Sequence, residues 1–277
     1  VKKILIMTAT LIAGLLAQNV EPAMSYKQSI DHWHEGRINS LKKEHGWLSL
    51  VALDWMKEGK NIVTGVGSIT IVKEKLHLQL NAGMEGMRNG LPFTSGPIEA
   101  DKDKVIIGSK AVAVIHRGGK YAVRVWDAET PARKNFTGIA RYPVDEQWKI
   151  EARWIAYDTL KKIEIPTVIP GLTQEGIVPG AAVFIIDGNE YRLEPTIEEG
   201  SDELFFVFGD KTNGKETYGA GRFLYAPLPV GGTIVLDFNK SYNPPCVFTD
   251  FATCPVPSPE NRLKVRIEAG EKNYRHH

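Results

Sequence analysis

The chain is poor in the features that most readily announce a function. Among its 277 residues are only two cysteines, Cys246 and Cys254, and neither has a third thiol or a histidine near it in sequence. That argues against a metal centre, and no motif calls for a cofactor. Charge of one sign is also missing, since 34 Lys and Arg stand against 33 Asp and Glu for a formal net charge of +1. Without a basic surplus there is no footprint for a phosphate backbone, so nucleic acid is not an expected partner. The chain has no G-x-S-x-G, no internal repeat and no low-complexity linker. It also has no helical period after Met56.

What is present is a globular composition, 43% hydrophobic and 24% charged, with enough length to bury a substantial core. The first residues read as an export signal: Lys2 and Lys3 supply a positive start, and Ile4 to Ala17 an apolar run broken by Thr8, Thr10 and Gly14. That run is too short to span a bilayer comfortably, so no stable membrane span is expected once it is removed. The expected organisation is a signal at residues 1–17 and one β-rich domain over 18–277, with a subdivision near 166–170 suggested by Pro166 and Pro170. The expected location is periplasmic or secreted. In an oxidising compartment the two thiols tend to pair, and a C-x7-C bridge closes a nine-residue ring. Free or redox-active thiols and metal ligation are the alternatives.

Ser25 is placed to cap a helix whose apolar positions Tyr26, Ile30, Trp33, Ile38 and Leu41 recur at three and four, with Gly46 as its stop. Gly46 to Met56 reads as a buried segment docking that helix. Beyond Asn61 come short runs rich in Val, Ile and aromatics, punctuated by Gly and Asn, which favour antiparallel strands. The tetrapeptides at Arg117 to Lys120 (RGGK) and Asp187 to Glu190 (DGNE) are hairpin signals. The fold expected is therefore mainly β, an antiparallel barrel or sandwich with an N-terminal amphipathic helix. A proline-rich tail, DFNKSYNPPCVFTDFATCPVPSPENRLKVRIEAG, would form a C-terminal clasp ending in an ENRL strand.

GDKTNGKE, from Gly209 to Glu216, follows the phosphate-loop pattern but ends in Glu216 where a hydroxyl should stand, and no helix follows. A hairpin turning at Asn213 and Gly214 fits better. On the strand before the long loop, Arg124 and Trp126 share a face and Asp127 follows, while Arg133 lies beyond. Arginine forks beside aromatic rings suit a carboxylate, phosphate or sugar. Asp210, Tyr218 and Arg222 form a second polar cluster, and Asn243, Glu260, Asn261 and Arg262 a third in the tail. All eleven are candidate ligand-binding residues.

The segments RVWDAETPARKNFTGIARYP, VFGDKTNGKETYGAGRFLYAP and LDFNKSYNPPC, with TCPVPSPENRLKVRIEAGEK, resemble the bacterial and archaeal family called domain of unknown function 1684. The resemblance runs from about Trp47 to Lys272 and implies no activity and no catalytic residues. The residues favour an exported protein binding a small anionic or carbohydrate-like ligand. One alternative is a hydrolase with Asp127, Asp210 or Asp237 as general base, an arginine clamping negative charge, or Cys246 as nucleophile. Another is a structural envelope protein whose tail only clasps the barrel.

Overall fold

The computed structural model describes residues 24–274, and the expected export segment at 1–17 lies outside the described residues. The helix starts at the expected Ser25 cap and runs over Tyr26–Leu41, but it ends with Lys42 as its C-cap, before Gly46, the expected stop, which instead caps the following turn. Ser25 Oγ accepts the Gln28 backbone N–H while the Gln28 side chain accepts the Ser25 N–H, which satisfies two otherwise unpaired donors. Ile30 and Leu41 are its fully buried positions.

The Gly46 to Met56 segment departs from expectation. After a 3-10 turn at Trp47–Ser49 it becomes a strand, Leu50–Trp55, paired antiparallel with Lys120–Asp127. It buries Leu50 but ends in exposed Asp54 and Trp55, a fading pattern that lacks the alternation of a half-buried strand. Its sheet has six strands, in the order Leu50–Trp55, Lys120–Asp127, Lys110–Arg117, Lys104–Ile107, Gly86–Arg88 and Leu91–Phe93. A four-stranded sheet, Gly59–Val63, Gly67–Val72, Lys75–Leu80 and Ser95–Ile98, packs on it around Val63, Ile69, Leu78, Val114 and Val123.

A second core lies further along the chain. Asn189–Leu193, Thr173–Ile186, Lys149–Pro166 and Thr233–Asp237 form one sheet, and Thr196–Ile197, Glu203–Phe208 and Arg222–Pro227 another. Phe184, Leu193, Phe206, Phe208, Leu224 and Phe238 fill the space between them. The fold is thus mainly β and antiparallel with one N-terminal helix, in the expected class. The runs Trp148 to Tyr157 and Lys162 to Val168 are one strand, irregular between Ala156 and Lys161. Pro166 pairs with Thr173 at the turn of the longest hairpin. The passage from one core to the other is instead made by residues 128–148.

Both hairpin signals hold: Lys120 faces Arg117 across Gly118 and Gly119, and Asn189 faces Ile186 across Asp187 and Gly188. All four turn residues have positive φ, the geometry that twists with the strands. Residues 209–221 connect Glu203–Phe208 to Arg222–Pro227 as an elaborated hairpin, in which the Thr212 carbonyl accepts from Lys215, Glu216 and Thr217.

The tail runs between the cores and touches both. Thr249 Oγ1 donates to the Leu50 carbonyl at 2.9 Å, and the Val168 and Val256 N–H groups donate to Cys254 and Pro166 carbonyls. It then sends Leu263, Ile267 and Ala269 into the second core. The expected ENRL strand does not form; Arg262 makes a single parallel bridge to Gly209, and the segment is otherwise turns. Pro257 and Pro259 just before it lack N–H donors, so no regular ladder can be set up.

Candidate ligand-binding site

The site begins with a strand that is apolar on both faces. In Glu203–Phe208, Leu204, Phe206 and Phe208 point into the second core, while Phe205 and Val207 form a separate cluster with Phe223, Ala252 and Cys254. Strand pairing sets Phe205 opposite Tyr225, and a bridge sets Phe223 opposite Tyr242. The result is an aromatic wall. Phe205 lies 4.9 Å from both Phe223 and Tyr225, and the Tyr225 and Tyr242 rings are within 10° of parallel, 6.2 Å apart.

The wall faces a cavity of about 370 Å³ closed on its other sides by Trp47, Arg124, Arg37 and the tail from Pro245 to Pro255. That volume is in the range of small-molecule sites. Arg124 comes from the other core. On Lys120–Asp127, Val123 and Val125 enter the first core, so Arg124 and Trp126 must point away from it, toward the tail.

Arg124 is only 8% exposed yet, among the described residues, meets no carboxylate within ion-pair distance, Asp101 acting on it only from further away. Its guanidinium lies 5.2 Å above the Trp47 ring, one Nη donates at 3.4 Å to Thr253 Oγ1, and Nε has no partner. Burial, with a smaller push from Arg117, drives its pKa down to about 10. A buried cation with an unmet donor is costly, and such a group on the wall of a cleft is a candidate functional position. The other two arginines of the cavity are compensated: Arg37 pairs with Glu271 at 3.4 Å and Arg117 with Asp101 at 2.7 Å. Glu198, at the exposed rim, accepts the Tyr225 hydroxyl at 2.7 Å.

The remaining candidates do not converge here. Trp126 is buried beside Leu50 and Ala111 with Lys104 over its ring, behind Arg124. Asp127 accepts from the Glu129 N–H and Ser109, and the former holds its carboxyl low. Arg133 donates to the Lys42 and Ala128 carbonyls, tying its loop down. Asp210 and Arg222 form a fully buried ion pair at 2.5 Å, in which Arg222 also donates to the Ile267 and Ala269 carbonyls. Asn243 bonds the Lys272 carbonyl, and Asn261 bonds the Glu194 and Val207 carbonyls. Both satisfy backbone. Glu260 and Arg262 are exposed, away from the cavity. Asp237, the third base considered, accepts from the Tyr26 hydroxyl at 2.7 Å at the edge of a second hollow of about 860 Å³. Arg37, Tyr225 and Tyr242 form the partition between the two hollows.

Both cysteines carry free thiols in this structure. They are adjacent, the Cys246 N–H donating to Cys254 Sγ at 3.2 Å. Burial pushes the Cys254 thiol far up, whereas its hydrogen bond to Cys254 lowers Cys246. Tyr218 also bonds Cys246, which is how that candidate approaches the site. No cluster of three or more His, Cys, Asp or Glu able to hold a metal occurs among the described residues.

Sequence reasoning missed Trp47, Phe205, Phe223, Tyr225 and Tyr242. The available signal was LFFVF at 204–208, a run without alternation, which implies that both faces of the strand are covered.

Fold and cavity define an antiparallel β protein with an arginine-tipped aromatic cavity at the seam between two cores. Residues 134–272 match the family described as "Protein of unknown function (DUF1684)", and the chain belongs to that family. The match includes the aromatic wall and the tail but stops short of Arg124 and Trp47. A solution NMR structure of an uncharacterised protein of Haloarcula marismortui is 28% identical, covering 53% of this chain and 83% of that one at a TM-score of 0.45. No curated protein matches.

Proposed function

We propose that the protein binds a small anion in the seam cavity, with Arg124 as its counter-charge. One observation carries this: a guanidinium 8% exposed, without a carboxylate partner and with an unmet Nε donor, on the wall of a cavity of about 370 Å³. A carboxylate or phosphate oxygen would supply the missing acceptor and the missing charge together. Trp47 holds the guanidinium plane from below, which leaves its edge to the ligand. As part of the same proposal the protein acts outside the cytoplasm, on the strength of the apolar run Ile4 to Ala17.

The test is calorimetric titration of the purified protein with acetate and inorganic phosphate, repeated on Arg124→Met. Saturable binding lost in the variant is the expected result. Equal heats from both proteins would refute the role of Arg124.

A further inference from the structure

The cavity's two walls differ in kind, and together they restrict the ligand further than its charge does. Of the charged groups that line it, Arg37 is matched by Glu271 and Arg117 by Asp101, which leaves the Arg124 charge uncompensated inside. Glu198 stands at the rim, where it repels a second negative charge on any ligand. A monoanion therefore fits better than a phosphate dianion. The facing wall carries Phe205, Phe223, Tyr225 and Tyr242, and its two tyrosine rings are stacked within 10° of parallel. Their centroids are 6.2 Å apart, too close to admit a ring between them, so a ligand must lie across their faces or edges. The hydroxyl of Tyr225 is already committed to Glu198, and Arg37 sits 4.7 Å over the Tyr242 ring. With the Tyr242 face under Arg37, what the wall still offers is the apolar surface of Phe205, Phe223 and Tyr225, where a sugar would need free hydrogen-bonding groups.

We infer that the ligand is a monocarboxylate on a flat, apolar, ring-bearing body, its carboxylate on Arg124 and its ring against the Tyr225 and Tyr242 wall. This rests on the anion-binding proposal above and narrows it to an aromatic acid.

The experiment compares 2-naphthoate, acetate and inorganic phosphate by calorimetry on the full chain, its Tyr242→Leu and Tyr225→Leu variants, and Arg124→Lys. The wild type is expected to bind 2-naphthoate at least tenfold more tightly than acetate, a difference of about 1.4 kcal/mol. It should bind phosphate no better than acetate. The leucine variants should lose most of the naphthoate preference, bringing the naphthoate and acetate affinities together. Arg124→Lys keeps the charge but not the planar fork, and should weaken both carboxylates. Equal affinities for naphthoate and acetate that both depend on Arg124 would overturn the aromatic-acid inference and leave anion binding standing. Tighter phosphate would overturn the carboxylate class. Anion affinities indifferent to Arg124→Lys and Arg124→Met would bring down both proposals. Circular dichroism of each variant checks that the β signal is intact, and the two tyrosine variants give independent readings if one fails to fold.

Discussion

Replacing Arg124 by methionine should make the protein more stable while removing the counter-charge of the proposed anion site. A drop in pKa from the ordinary arginine value to about 10, caused mainly by burial, corresponds to a cost on the order of 3 kcal/mol for keeping the charge at neutral pH. Against it stand the stack on Trp47 and the long bond to Thr253, together about 2 kcal/mol. Methionine keeps much of the apolar stem, adapts to irregular space and needs no acceptor. The net expectation is a gain of about 1 kcal/mol, or roughly 2–4 °C in Tm for a protein of this size. Thermal unfolding followed by circular dichroism at pH 7 measures it, with a urea titration as the check. The sign of the charge cost also fixes a pH dependence. Because the folded-state pKa lies below the ordinary value, the penalty is complete below pH 10 and is relieved as the folded protein releases the proton above it. The advantage of the variant should therefore shrink above pH 10. A variant that melts several degrees lower than wild type would show that Arg124 is structurally compensated, and the case for a binding site would fail with it.

Three further outcomes follow from the same structure. Asp210→Ala leaves Arg222 buried without its partner and should cost about 3–5 kcal/mol, whereas breaking the exposed Arg153 to Glu190 pair should cost no more than about 1 kcal/mol. Similar urea midpoints for the two would contradict the buried pair. Tyr26, Tyr142, Tyr225 and Tyr242 all have pKa values raised above 10.0, chiefly by burial, so the stability they contribute is whole below pH 10 and is lost as pH rises beyond it. Four tyrosines outweigh the single opposing arginine, and the urea midpoint should fall between pH 9 and 11; a flat profile would refute their burial. In reduced protein, iodoacetamide should modify Cys246 at least tenfold faster than Cys254, since the latter is more buried and its thiolate is disfavoured. Mass spectrometry of timed digests distinguishes this from equal rates, and oxidation to a disulfide should then add about 2.5 kcal/mol by closing the nine-residue ring.

The secondary structure was legible where a local rule decides it. Ser25 ahead of the apolar repeat announces the helix cap, and the Gly118-Gly119 and Asp187-Gly188 pairs announce both hairpins. Leu50–Trp55 was hidden because its inward positions are only half buried, so its apolar run had no period to read. The division into two cores was harder still. Pro166 and Pro170 sit at a hairpin turn, while the passage, residues 128–148, coincides with the long link rich in Gly, Pro and polar residues that the sequence shows from Glu129 to Gln147, and holds Pro131 at the start of a single helical turn. For the site, the sequence supplied Arg124 on the correct face of its strand. It could not show that Asp210 and Arg222, equally suggestive on paper, neutralise one another inside the second core. Nor could it bring Trp47, Tyr225 and Tyr242 together, since their meeting depends on the tail's course between the cores and not on any local pattern. Asn243 and Asn261 are polar for the backbone's sake, which is what proline-rich chain demands of its neighbours.

The seam has a mechanical consequence. Guanidinium and aromatic wall belong to units with separate hydrophobic cores, so an occupant of the proposed site would act as mortar between two bricks that otherwise meet through the tail, residues 128–148 and the approach of Gly118 to Leu172. Occupancy converts two locally opening bodies toward one cooperative one, since neither can loosen without releasing what the other holds. Slow hydrogen exchange would then spread across Lys120–Asp127 and Glu203–Phe208 in step, and the two strands would report on a single event although no hydrogen bond joins them.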